Sequence, residues 1–209
     1  MISLTNHLIE KFPTDIGRIP INLSFNRVIN WYDVAEREDI SDPQKMRIGW
    51  SIFFGDELNF DSIDDYEIAM KALKDITDYV SQDPYEKSNV NDKVQEESNR
   101  EPTKWFSYKE DAEAIYSSFL FDYGIDLVDK QDKLRWEKFR ALFNNLSRKS
   151  PIMRIIDIRM TDITEYEGKA LADLVTSQSY YSLESQSVDN LNNNIGSMFD
   201  MIKSTIPKK

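Results

Sequence analysis

Apolar and aromatic side chains recur three and four positions apart in block after block of this chain, a period that commits most of it to helix. Phe25, Val28, Ile29, Tyr32 and Ala35 form one stripe, opened by Ser24 as a cap. Ser41-Asp42-Pro43 is a second start signal, a cap residue followed by proline at the first helical position. Met46, Trp50, Phe53 and Phe54 make its buried face, and Gly55 stops it. A third stripe, Tyr66, Ala69, Met70, Leu73, Ile76 and Val80, predicts a helix from about Asp64 to Val80.

The second half repeats the pattern. Ser107 and Glu110 read as a capping box before Tyr108, Ala112, Ile115, Tyr116, Phe119, Leu120 and Tyr123, with Gly124 as the terminal cap. Leu134 to Leu146 reads as the next helix, with Trp136, Phe139, Phe143 and Leu146 inward. Ser150-Pro151 leads Ile152, Ile155 and Ile156, and Thr164 with Glu167 reads as a second capping box before Leu171, Leu174, Val175 and Gln178. Only the start of the chain alternates with period two. Phe12-Pro13-Thr14-Asp15-Ile16-Gly17-Arg18-Ile19-Pro20-Ile21 predicts a short hairpin around an Ile16-Gly17 turn, with Pro20 confining its strand to an edge. The expected fold is therefore mostly α: a multi-helix domain of about seven helices with a small N-terminal β-hairpin. Tyr116, Phe119, Trp136, Phe139 and Phe143 are expected to pack together.

Two stretches interrupt the stripes. Residues 83–103 contain almost no large apolar side chain and read as a flexible charged linker, because so little apolar surface cannot offset ordering entropy. Residues 184–209 are polar, with Asn192-Asn193-Asn194 at their centre. Yet Val188, Leu191, Ile195, Met198 and Ile202 recur there at helical spacing, as a short amphipathic seam. The expected organisation is a hairpin plus helices over 1–82, the linker over 83–103, a helical region over 104–183 and the tail over 184–209.

Composition excludes several kinds of chemistry. The chain of 209 residues carries a formal charge of −11. Binding to a phosphate backbone needs clustered Lys and Arg, so nucleic acid is disfavoured, and an anionic membrane surface likewise. With no cysteine, there is no disulfide, thiolate metal site or cysteine nucleophile. Met1 to Phe12 carries no long apolar run, so neither a signal peptide nor a membrane span is expected. His7 is the sole histidine and stands outside any motif, and 6 glycines form no phosphate loop. Asp61, Asp64 and Asp65 could hold Mg²⁺, but carboxylates at a helix start also complement its dipole. Glu110, Asp111 and Glu113 read the same way. No catalytic residue, cofactor or metal site is expected. Trp105-Phe106, just past the polar stretch, reads either as a staple for the following helix or as an exposed anchor for a partner. Together with Val188, Leu191, Ile195, Met198 and Ile202, these two residues are the candidate protein-interaction positions.

Several ordered strings then meet in one stretch. Phe106-Ser107-Tyr108 is followed by Asp111-Ala112, Ile115-Tyr116 and Phe119. Tyr123-Gly124-Ile125-Asp126-Leu127 comes next, then Trp136 and Phe139-Arg140-Ala141-Leu142-Phe143-Asn144-Asn145-Leu146. This succession resembles the bacteriophage gp-fifteen family of siphophages and prophages. The N-terminal hairpin with Ile21-Asn22 and Phe25, and the charged insert, are similar too. The resemblance covers roughly residues 8 to 183. Where the family tends to carry His-Trp-Trp, this chain has Leu134-Arg135-Trp136.

The resemblance implies a non-enzymatic tail assembly chaperone. Such a protein holds the tape-measure protein in the host bacterial cytoplasm during virion morphogenesis and is absent from the mature virion. Self-association is a second expected interaction. The competing reading is an acidic binding or inhibitor module, such as a DNA mimic or host-factor binder. A mimic needs carboxylates in a regular double track, whereas the acids here are interspersed with Lys and Arg. A carboxylate-metal enzyme is the third reading, and it needs acids that converge.

Overall fold

The computed structural model describes residues 2–55, 58–82 and 105–183. The polar stretch 83–103, and the tail with Val188, Leu191, Ile195, Met198 and Ile202, lie outside the described residues. Within the described residues the chain forms one two-stranded antiparallel sheet and seven α-helices, as the apolar periods require. Its contacts gather into two units. The first holds the described residues up to 82 together with Asp132–Lys138; the second holds residues 105–131 and 139–183.

In the first unit, β1 (Lys11–Thr14) pairs with β2 (Gly17–Pro20), Phe12 opposite Ile19. Thr14 stands opposite Gly17, so the connecting residues are Asp15-Ile16, one position before the expected Ile16-Gly17 turn. Gly17 takes φ +121, which an L side chain rarely adopts. Three helices follow: α1 (Phe25–Glu36), α2 (Asp42–Phe54) and α3 (Ile63–Ser81). They pack in sequence, α1 on α2 and α2 on α3. The core of this unit is aromatic. Trp31 meets Phe53 edge-on at 6.3 Å, and Trp50 meets Phe54 at 4.4 Å. Trp31 is fully buried and its indole N–H donates to Thr77 Oγ1 at 3.1 Å. On α1 the expected stripe placed Ile29 inward; Ile29 is half-buried, and Trp31, two positions on, fills the centre instead. The period was right, but the wide face reaches residues on either side of the stripe.

Trp31 lies so close to α2 that only glycine fits opposite it. A Cβ at Gly49 would stand 2.5 Å from the Trp31 ring and 3.0 Å from Leu73. Gly49→Ala therefore overpacks the centre of the unit and is expected to cost about 1–3 kcal/mol despite its better helix propensity. Urea unfolding followed by tryptophan fluorescence measures this; a stabilised variant would contradict the packing.

Asp132–Lys138 completes the first unit. Phe25 N–H donates to Leu134 C=O at 2.9 Å, and Trp136 N–H donates to Leu23 C=O at 2.7 Å. This pairing keeps Leu134 and Arg135 out of the helix, so α5 opens at Trp136; it closes at Phe143, shorter at both ends than the expected Leu134 to Leu146. Trp136 turns edge-on to Tyr32 at 5.9 Å, and its indole donates to Val80 C=O at 2.9 Å. Glu137 is buried beside it and accepts from Arg135 Nη2 at 2.7 Å and from the Tyr79 hydroxyl at 3.0 Å. Burial pushes the Glu137 carboxyl up, but the hydrogen bonds and charge of Arg135 outweigh it, leaving the group below its ordinary range. A carboxyl lowered on folding contributes stability above its unfolded value, near 4.5, and loses it as pH falls through the folded value. Acid unfolding of the first unit should therefore steepen below about pH 4.5, and Glu137→Gln should flatten that limb. An unchanged acid limb in the variant, read by Trp31, Trp50 and Trp136 fluorescence, would exclude Glu137 as its source.

The second unit is built on α4 (Ala112–Tyr123), the Phe139–Phe143 end of α5, α6 (Pro151–Met160) and α7 (Gly168–Tyr180), with a 3-10 turn over Ile163–Glu165. Gly124, at φ +64, closes α4 and returns its N–H to Leu120 C=O, as expected. Phe119 stacks on Phe139 at 5.0 Å, and Phe139 on Phe143 at 6.1 Å. Tyr116 stays half-buried, its hydroxyl donating to Asp126. Of the five aromatics expected to form one cluster, Phe119, Phe139 and Phe143 do so, whereas Trp136 belongs to the first unit's core.

Candidate protein-interaction surface

The expected capping boxes of the second unit both resolve differently, and the differences shape its surface. Glu110 N–H donates to Ser107 Oγ at 3.2 Å, as the box expects, while Ser107 N–H donates to Asp111 Oδ2 at 2.9 Å, and α4 begins only at Ala112. Asp111 is buried because it has a second task. Arg159, 48 positions on, grips both its oxygens at 2.7 and 2.8 Å. The same guanidinium donates to Trp105 C=O at 2.9 Å and to Tyr181 C=O at 2.7 Å. One buried arginine thus ties together the start of the unit, the start of α4 and the chain just after α7. Farther on, the expected Thr164–Glu167 box is replaced by Asp162, which accepts from Thr164 N–H at 2.9 Å and caps the 3-10 turn. Glu167 makes no side-chain cap, and α7 opens on Gly168 at φ +57. The proline start of α6 holds, but Ser118 Oγ, not Ser150, receives the Ile152 N–H at 2.9 Å.

Around this frame the second unit leaves large apolar groups uncovered. Leu120 and Phe121 on α4 are exposed, Phe121 at 64 %. Met160, Ile163, Val175 and Tyr180 are exposed near α6 and α7, Tyr180 at 81 %. Scattered single apolar residues are ordinary on a surface, whereas a contiguous apolar patch marks a partner site.

The sequence-derived interaction positions fare differently. Phe106 packs within its own unit, 4.9 Å from Phe143 and 5.1 Å from Tyr108. Trp105 is half-buried and held through its carbonyl by Arg159. Leu120 and Phe121 were missed as surface groups. Leu120 sits in the predicted stripe, and Phe121 follows Phe119 in an apolar run whose mean composition looks like core. The signal that could have separated them is angular: Phe121 stands about 200° from Phe119 on a helical wheel.

Among the described residues, acidic groups are taken up by caps and ion pairs. Asp65 accepts from Ser62 N–H at 2.9 Å, and this backbone bond holds its carboxyl below the usual range, so Asp65 completes the capping box that Ser62 opens at α3. Asp15 pairs with Lys71 and Asp132 with Arg27, each at 2.6 Å. Among the described residues, no group of three His, Cys, Asp or Glu could hold a metal ion. Nor, among them, is any helix long and apolar enough to cross a membrane.

The chain belongs to the family described as Bacteriophage Gp15 protein, whose model matches residues 4–183. It is thus a phage-type protein, mostly helical, with a two-stranded N-terminal sheet. No curated protein and no solved structure matches it.

Proposed function

We propose that this protein is a tail assembly chaperone that binds the tape-measure protein in the host bacterial cytoplasm and does not remain in the virion. Family membership supports the setting. The observation that carries the reading is the pair Leu120 and Phe121, left exposed on the outer side of a helix whose other side is densely packed with rings. A tape-measure chain is long and helical, and an apolar helix face is the surface that such a pair would cover. The chain's acidic excess keeps the loaded complex dispersed by mutual repulsion. The partner is a protein, and the work is holding rather than bond chemistry.

Co-expression with the tape-measure protein of the same phage tests this. The tape measure should move from the pellet to the soluble fraction and co-purify with the chaperone. A tape measure that stays insoluble, or soluble but unbound, would defeat the reading.

A further inference from the structure

We propose that residues 184–209 fold back along α4 and lay their apolar stripe over Leu120 and Phe121, so that the chain covers its own interaction pair until a client takes it. The inference rests on the chaperone reading and deepens it by naming how the site is regulated: by an autoinhibitory contact within one chain.

Three observations point to this occupant. First, pair and stripe each need an apolar surface. Among the described residues nothing covers Leu120 or Phe121. Val188, Leu191, Ile195, Met198 and Ile202 recur at spacings of three and four. A helix that short is marginal in water by itself, so its stripe forms only against another apolar face. Second, the tail starts in the right place. Arg159 donates to Tyr181 C=O at 2.7 Å and to both oxygens of Asp111, the residue just before Ala112, at 2.7 and 2.8 Å. The chain therefore leaves the unit beside the head of α4. Phe121 lies about 15 Å farther along that helix at 1.5 Å per residue. From Tyr181 to Val188 the extended chain spans at most roughly 24 Å, and Val188 to Ile202 as helix is about 21 Å long. A stripe laid from the head of α4 thus passes Leu120 and Phe121 and ends beyond Tyr123. Third, charge fixes the direction. Lys203, Lys208 and Lys209 follow the stripe, with no acid after Asp200. Where α4 ends, residues 122–131 carry Asp122, Asp126 and Asp129 against Lys130 alone. The helix dipole adds negative charge at that pole. A tail running the same way as α4 brings its lysines there; the opposite direction would bring Glu184 and Asp189.

Tethering gives the tail a high effective concentration at the pair, so weak contacts suffice to keep the pair covered. Tail and client share one surface, and each therefore lowers the other's apparent affinity. The contact shields an apolar patch from unwanted partners and yields to a client that binds it more tightly.

The chain has no cysteine, so one introduced thiol reports the cover. Ser117 lies one turn before Phe121, and its hydroxyl bonds to Glu113 C=O and Ala114 C=O within α4. Maleimide labelling of full-chain Ser117→Cys should be at least about tenfold slower than labelling of the same chain carrying Leu191→Asp and Ile195→Asp. Those two charges eject the stripe, because an apolar contact cannot take them up. Lys169→Cys, exposed on α7, is the control and should label at one rate in both backgrounds. Equal labelling of Ser117→Cys with and without the tail charges overturns the proposal. So does a matching rise at Lys169→Cys, which would mean general loosening of the unit. Protection that grows with protein concentration would assign the cover to a second copy and overturn the contact within one chain. None of these readouts involves the tape measure, so their failure leaves the chaperone reading standing.

Discussion

Phe139→Ala should destabilise the second unit by about 3–5 kcal/mol, among the largest effects of any single truncation in the chain. Phe139 is fully buried, stacks on Phe119 at 5.0 Å and on Phe143 at 6.1 Å, and lies 6.1 Å from Tyr108. Alanine there removes a ring with neighbours on three sides. Ring stacks relax poorly into the space left, so the cavity cost adds to the lost transfer free energy. Phe121→Ala is the control. It removes the same atoms from an exposed position and should stay within about 0.5 kcal/mol of wild type. Denaturant unfolding of the two variants gives the comparison; a near-neutral Phe139→Ala would mean that the stack is not the core of the unit.

Asp111→Ala should cost a similar amount, about 3–5 kcal/mol, for a different reason. The Asp111–Arg159 pair is enclosed, with side-chain exposures of 6 % and 9 %. Removing the acid leaves a guanidinium buried with backbone carbonyls but no counter-charge. The exposed Arg27–Asp132 pair has a similar separation, 2.6 Å against 2.7 Å. Its acid is 54 % exposed, so Asp132→Ala should lose no more than about 1 kcal/mol from that contact. Burial, not distance, separates the two. Asp111→Ala should also free the chain at Trp105 and Tyr181, because Arg159 holds both carbonyls. Equal losses from Asp111→Ala and Asp132→Ala would contradict this.

The helical period was legible wherever both the stripe and its caps were local. Ser41 with Pro43, and the Gly124 cap, need nothing beyond their own neighbours, and the structure keeps them. The hairpin turn and the Thr164–Glu167 box failed within a few positions, but other departures depended on a residue far along the chain. Arg159 holds Asp111 where it accepts the Ser107 N–H, a partner that the local Ser107–Glu110 spacing does not announce. Leu23 and Phe25 pair with Leu134 and Trp136, so α5 is shorter than its apolar stripe. The same pairing commits Trp136 to the first unit, although its spacing with Phe139 and Phe143 reads as one face. A period tells which side chains share a side of a helix, not which body covers that side. The exposed α4 pair was the least legible part for the same reason: an apolar residue left bare and one buried have identical letters, and only Phe121's angle set it apart.

In the proposed function, the exposed α4 pair holds a tape-measure helix. The direct measurement is the amount of co-expressed tape measure retained by the wild type and by a Leu120→Asp, Phe121→Asp double variant. Both positions are exposed, so the variant should keep the wild-type fold by circular dichroism. Wild type should retain the tape measure, and the variant at least about tenfold less, since charge on both positions forfeits their apolar contact and must be desolvated on binding. Equal retention by the two proteins, or none by the wild type, would contradict the account.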